Sequence, residues 1–394
     1  MKTKLLSLLL CMAMCLSLLT ACGSGSSAPA QEAASSSAAV SSAAQSAAVS
    51  ESAPAEESAS AEAQAPEEEE TAVAPEINPN DPEIRVGMLT ILNMSEEDAA
   101  EMMRARKLVS LQLAKEGCLS GTENMPESNG KITVTFYDDL GSMLMALNAG
   151  QIDSISITES VAEYLVHTNE GIVMPTTHDD VAPHSAFANQ MENGLMGEGY
   201  SFMLMADHEQ LRDELDRALD SMKDDGTLDR LIKEQIDDVL AGKEPVEIEL
   251  PPIADAETIE VAVTGALPPM DYVSSIGMPV GFSTAVLAEI STRIHKNISV
   301  SVIDSGARAS ALSSGRADVV FWTRTSTASS EVKAMSEQER YALGEELKPE
   351  ELTVIQQINS IYDFTKYADM DMPEGTIVTQ AYYSGFNLPV LSKG

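Results

Sequence analysis

Ile298-Ser299-Val300-Ser301-Val302-Ile303-Asp304, followed by Ala311-Leu312-Ser313-Ser314-Gly315-Arg316-Ala317-Asp318, has a counterpart earlier in the chain. Ile132-Thr133-Val134-Thr135-Phe136-Tyr137-Asp138 leads in the same way to Ala146-Leu147-Asn148-Ala149-Gly150-Gln151-Ile152-Asp153. In both copies apolar and polar residues alternate, as in a half-buried strand. A helical stretch follows, closed by a glycine that takes the left-handed conformation and lets the chain reverse. The runs after each aspartate, Ser154 to Thr158 and Val319 to Thr323, read as the next parallel strands.

Outward from these copies, each half opens on another strand, Ile84 to Met88 and Ile259 to Val263. A helix follows each, Glu96 to Lys115 and Thr284 to Lys296. Both halves therefore begin β-α-β-α-β, which implies a mostly parallel sheet with helices on its faces. The first half adds a strand at Tyr200 to Met205 and helices through Leu211 to Leu215 and Leu228 to Ile232. Between the halves Pro245, Pro251 and Pro252 exclude a helix and disfavour a strand. The expected organisation is a first module at 81–241, a Pro-rich linker at 242–257 and a second module at 258–394.

The N-terminus differs from all of this. Lys2 and Lys4 precede an apolar run from Leu5 to Leu19, the layout of a secretory signal. Such a run is short for a membrane span, which needs roughly 20 residues. It ends in Leu19-Thr20-Ala21-Cys22, which resembles the bacterial lipobox, and that resemblance implies cleavage after residue 21 and lipidation of Cys22. Residues 23–80 are mostly Ser, Ala, Glu, Gln and Pro, with no Lys or Arg between Lys4 and Arg85. A segment with so little apolar surface cannot offset its ordering entropy and reads as a solvated tether. As a flexible coil of ~58 residues it reaches about 40 Å. The expected location is the outer face of a cell membrane, in a bacterium with a single membrane.

Composition excludes several classes. The formal net charge of −38 repels nucleic acid and anionic lipid. Cys11 and Cys15 leave with the signal and Cys22 carries lipid, so Cys118 alone remains and no internal disulfide can form. No nucleophile elbow, zinc-protease helix, phosphate loop or dinucleotide fingerprint occurs, so no enzyme and no cofactor is expected. His178, Asp179, Asp180 and His184 are close in sequence but match no closed metal site. Of the 21 methionines, the runs Met143-Leu144-Met145 and Met203-Leu204-Met205 lie in apolar elements and read as core filling. His295, late in its helix, reads as a surface cation at the helix C-terminus.

Other stretches resemble the family 3 bacterial solute-binding proteins. They are Pro268-Pro269-Met270-Asp271-Tyr272, Gly277-Met278-Pro279-Val280-Gly281-Phe282, Ala311 to Asp318, and Pro373-Glu374-Gly375 to Tyr382-Tyr383. In the first half Leu211 to Ile236, with Asp225-Gly226-Thr227-Leu228, resembles that family's C-terminal helices. The resemblance implies two tandem lobes of the periplasmic-binding-protein kind, a small polar, amino-acid-like solute, and an ABC permease as membrane partner. It also implies an arginine twelve residues after the helix-closing aspartate, gripping a ligand carboxylate. This chain has Ser330 there, and Leu267 or Pro268 where a stacking aromatic is usual. The expected ligand-binding set is Asp271, Tyr272, Trp322, Thr323, Arg324 and Thr325, with Arg324 as a replacement cation. Trp322, at a strand end, reads equally as ligand platform or core. The alternative function is a non-transport sensor or interaction lipoprotein that keeps the fold without amino-acid binding.

Overall fold

The computed structural model describes residues 76–121, 129–178, 191, 197–273, 279–326, 349–364 and 370–392. Cys22, residues 23–75 of the expected tether, Asp179, Asp180, His184 and Ser330 lie outside the described residues. The strands are β1 Ile84–Leu89, β2 Leu119–Ser120, β3 Ile132–Tyr137, β4 Ser154–Thr158, β5 Ile172–Val173, β6 Thr177–His178 and β7 Gly197–Met205. After the Pro-rich segment come β8 Thr258–Val263, β9 Ala266–Leu267, β10 Asp271–Val273, β11 Pro279–Val280, β12 Asn297–Val302, β13 Val319–Ser326, β14 Thr376–Val378 and β15 Tyr383–Ser392. The main helices are α1 Glu96–Lys115, α2 Leu140–Asn148, α3 Glu159–Thr168, α4 Glu209–Asp224, α5 Thr227–Ile232, α6 Phe282–Ile294, α7 Arg308–Ser313 and α8 Pro349–Ile361.

Both β-α-β-α-β units form as their sequences dictate. In the first, β1 pairs in parallel with β3 and β4; in the second, β8 pairs in parallel with β12 and β13. Gly150 and Gly315, closing α2 and α7, have φ of 67° and 66°, the left-handed turn that the two copies require. Gly281 is constrained differently. Its φ is 101°, and a Cβ there would lie 2.7 Å from the Pro269 carbonyl, so only glycine fits this approach to α6.

The main sheet runs β12-β8-β13-β7-β15-β4-β1-β3. Two parallel blocks thus flank an antiparallel pair, β7 and β15. β7 comes from before the Pro-rich segment but lies against β13 of the second block, in register from Thr323↔Ser201 to Ser326↔Glu198. β15 comes from after it but lies against β4 of the first block, from Asn387↔Thr158 to Leu391↔Ser154. Each half therefore lends its late strand to the other's block. Residues 242–257 mark a change in chain order, not a break in the hydrogen-bonded sheet, and the described residues fall within one compact unit, Glu68–Gly394. The Pro-rich segment is itself held: Asn297 accepts from the Ile253 amide and donates to the carbonyls of Ile253 and Ala256.

The core follows the sheet. One apolar cluster joins Ile155 and Ile157 of β4, Phe202 and Leu204 of β7, Leu215 and Leu219 of α4, and Val286 and Ile290 of α6. A second lies under α1, where Ala99, Met102, Ala105, Val109 and Leu113 form the inward stripe against Val86, Met88 and Val134. Ser95 caps α1 by accepting from the Asp98 amide at 3.0 Å, and Glu96, Glu97 and Asp98 complement its dipole. Met143, Met203 and Cys118 are buried as core residues, while Met145 is exposed. His295 takes the left-handed conformation at the end of α6. Among the described residues, no helix is long and apolar enough to cross a membrane.

The strand exchange makes a prediction. Proteolytic nicking within 242–257 should leave both fragments associated, because β7 and β15 are each held by strands from the other fragment. The nicked protein should elute as a single species in native size exclusion and divide only in denaturant. Fragments that separate without denaturant would contradict the exchanged pairing.

Candidate functional site

The C-terminal ends of the parallel strands of both blocks meet along one seam, where parallel sheets place their ligands. Thr90 to Asn93 follow β1, Asp138 follows β3, and Ser305 and Arg308 follow β12. The last turns of β13 carry Trp322 to Thr325, and Asp371 arrives on the approach to β14.

At the centre is the Asp371 carboxylate, fully buried. Arg308 forks onto it, with Nη1 to Oδ2 at 2.6 Å and Nη2 to Oδ1 at 2.8 Å. The Leu92 amide donates to Oδ1 at 2.9 Å and the Arg324 amide to Oδ2 at 3.0 Å. Arg308 also donates to the carbonyls of Thr90, Ser305 and Trp322, which fixes its plane. Four donors from both blocks thus form a carboxylate cradle. Nearby the Ser305 amide donates to the Asp138 carbonyl at 3.1 Å, and the Asn93 amide to that of Met370 at 2.9 Å.

A second buried charge group stands beside the first. Glu198 on β7 lies 2.6 Å from Arg106 of α1 and 3.7 Å from Arg324 of β13, and the Tyr200 hydroxyl donates to it at 3.3 Å. Burial works against the Glu198 charge, but Arg324 and Arg106 outweigh it and hold its carboxyl down at about 2. Two arginines share one glutamate, and Arg106 Nε and Nη1 and Arg324 Nη1 have no hydrogen-bond partner among the described residues.

The structure places the expected residues as follows. Trp322 sits in a bulge of β13 between Val320↔Met203 and Thr323↔Ser201, with φ of 59°, a region bulky residues seldom enter. It is 4% exposed and stacks on Tyr200 with ring centroids 3.8 Å apart, so it packs in the core. Thr323 is fully buried, and its hydroxyl has no partner among the described residues. Arg324 is buried and turned to Glu198, while the Thr325 hydroxyl lies 3.4 Å from that of Ser201. Asp271 accepts from Thr264 Oγ1 at 2.7 Å and the Gly265 amide at 2.6 Å, both neighbours in its own hairpin. Burial pushes its carboxyl up to about 6 against the lowering pull of those donors. Tyr272 beside it is half-buried, its phenol pushed up to about 12 by burial. The structure does not bring the two groups together: Asp271 is bonded within its hairpin, whereas the Arg324 side chain faces Glu198 and its amide donates to Asp371. Among the described residues no cluster of His, Cys, Asp and Glu gathers as a metal site.

Sequence reasoning missed Arg106, Glu198, Arg308 and Asp371. For Arg106 a signal existed. It and Ser110 occupy the inward stripe of α1, between Met102 and Leu113, where a charge needs a buried partner.

Residues 259–344 match the family model of bacterial extracellular solute-binding proteins, family 3. That stretch is similar to the family 3 solute-binding proteins. It begins at β8 and includes α6, α7 and β13 with Trp322 to Thr325. No curated protein matches the chain. Among solved structures, a ligand-binding component of an ABC-type import system from Staphylococcus aureus, with zinc bound, is 12% identical. The match covers 79% of this chain and 66% of that one, with a TM-score of 0.31. The periplasmic aliphatic sulphonate binding protein SsuA from Escherichia coli is 12% identical over 79% and 65%, with a TM-score of 0.27. An ancestral arginine-binding protein bound to arginine is 12% identical over 81% and 87%, with a TM-score of 0.29. The chain spans a little under two thirds of the length of the first two.

Within the family 3 segment, Asp271 carries a pH prediction. Its folded pKa of about 6 lies above the unfolded value near 3.9, so the folded state holds the proton longer. Stability is therefore lost as pH rises through about 4 to 6, by about 3 kcal/mol in all. Asp271→Asn keeps the shape and removes the charge. It should raise the melting temperature at pH 7 and flatten the decline between pH 4 and 6, while an unchanged slope would show that Asp271 is not the group titrating.

Proposed function

We propose that this protein is a lipid-anchored solute-binding protein that takes small carboxylates, amino-acid-like ones among them, at the seam between its blocks. The observation that carries this reading is the cradle of Arg308, the Leu92 amide and the Arg324 amide. It is built from both blocks and grips a carboxylate with four hydrogen bonds. A small solute bearing the same group would replace the Asp371 side chain there. Arg308, at the start of α7, then performs the anchoring expected of Arg324. The family 3 match supports solute capture, and delivery to an ABC permease follows from it. Cys22 is the residue proposed to hold the protein at the outer face of the membrane.

The cradle is tested by chemical rescue. Asp371→Ala leaves Arg308 buried and uncompensated, at a cost of roughly 3–5 kcal/mol. Added acetate, glycine or alanine should then recover part of the lost melting temperature, and should move the unaltered protein far less. If no carboxylate raises the melting temperature of the variant, the cradle does not take external ligands.

A second reading has an observation of its own. Asp371 already fills the cradle, and Arg324 is engaged by Glu198, which is the arrangement of a chain that keeps the fold as a sensor or interaction module. Failure of rescue favours this reading. The anchor is tested apart from both. Cys22→Ser should leave the protein released into the medium or retained as an unlipidated precursor. A cleaved Cys22→Ser protein that still partitions into detergent would refute lipidation at this residue.

A further inference from the structure

Under α1, away from the cradle, the first block holds a cavity of about 220 Å3. Its walls are mostly apolar, with Ile84, Val86, Met103, Ile132, Pro389 and Leu391 among them. One side is polar. Ser154 and Ser156 of β4 line it together with Asn387 of β15, and Arg106 and Ser110 face them from α1. The β4 sequence explains the stripe: in Ser154-Ile155-Ser156-Ile157-Thr158, period-two alternation sends the isoleucines to the other core and the hydroxyls toward α1. Arg106 is 5% exposed and Asn387 4%, and among the described residues Arg106 Nε, Arg106 Nη1 and Asn387 Oδ1 have no hydrogen-bond partner.

We infer that this cavity is a binding site for a small monocarboxylate with a short apolar chain. Three observations select that chemistry. Arg106 and Arg324 share the single carboxylate of Glu198, so the buried group carries one excess positive charge that a monoanion balances. The remaining Arg106 donors and the serine hydroxyls suit a carboxylate head, while the apolar walls suit a hydrocarbon tail. A cavity of about 220 Å3 has room for a short chain such as hexanoate. An α-ammonium group is disfavoured, because Lys107 also lines the cavity and Asp153, the one acidic residue among its described lining, is paired with Arg85. The site therefore differs in place and preference from the cradle, and neither reading depends on the other.

The probe is hexanoate, with hexanol and acetate as controls, read by melting temperature and titration calorimetry on the full mature chain. Hexanoate at a tenfold excess over its Kd should raise the melting temperature by roughly 3 °C. Hexanol and acetate, lacking the head and the tail respectively, should bind at least tenfold more weakly. Ser156→Leu, which fills the polar side without touching the Arg106–Glu198 pair, should abolish hexanoate binding. It should leave acetate rescue of Asp371→Ala intact. Arg106→Lys, which keeps the charge but loses the planar donors, should weaken hexanoate at least tenfold. No hexanoate binding at millimolar concentration would overturn the proposal, as would binding that survives Ser156→Leu but is altered by Asp371→Ala. Equal binding of hexanol would also overturn it, because the cavity would then select for the apolar chain alone.

Discussion

The side-by-side placement of β7 and β15 is the constraint on which the rest of the molecule depends. Tyr383 to Phe386 pair with Tyr200 to Gly197, and through those four positions two parallel blocks become one sheet. Neither block is closed by its own half of the chain. The edge of β4 is covered by β15 and the edge of β13 by β7, so each block's exposed ladder is satisfied by the other half. Chain order and spatial order therefore differ, and the seam between blocks is held by backbone as well as by side chains.

The charges follow from that placement. Glu198 lies on β7, where it is opposite Ser326 of β13 on one side and Gly385 of β15 on the other. It thereby reaches Arg324 of the second block and Arg106 of the first. A carboxylate so buried is unfavourable alone, and one arginine would make a neutral pair. Two arginines hold it ionised and tie both blocks to the exchanged strand. Among the described residues, a chain of formal charge −38 thus places three arginines, Arg106, Arg308 and Arg324, at the seam against two of its buried carboxylates, Glu198 and Asp371, while the third, Asp271, stays in its own hairpin.

Most of the local structure was legible in the sequence, and the physical reason is that its signals are local. Alternation marked β3 and β12, and Gly150 and Gly315 marked the ends of α2 and α7. The run Glu96 to Lys115 was read as a helix, and the structure forms it with the same bounds. What was not legible is everything that depends on which strand covers which edge. β7 and β15 have apolar and polar residues compatible with either block, and nothing local assigns them. The site shows the same division. Thr323 and Arg324 were found at a strand end, but the partners of Arg324, Glu198 and Asp371, lie on segments that only the exchange brings near. Arg324 consequently reads as an available cation in sequence and is a committed one in the fold.

The energetics of the seam limit what can bind there. Among the contacts that cross it near the cradle are these four: Arg308 to the Thr90 carbonyl, the Leu92 amide to Asp371, the Asn93 amide to Met370 and Ser305 to Asp138. Two involve a charged group, at roughly 1.5–3 kcal/mol each, and two are neutral, at about 1 kcal/mol each. Their loss together costs roughly 5–8 kcal/mol, comparable to the 5.5 kcal/mol that shifts a two-state equilibrium from 1:99 to 99:1. A neutral solute entering the seam recovers little of this, because it leaves Arg308 without an anion. A carboxylate solute recovers the charged share, since Arg308 and the amides of Leu92 and Arg324 find in it the same acceptor they lose in Asp371. The seam's own stability is therefore what makes it selective: the tighter Asp371 is held, the more completely a ligand must reproduce it.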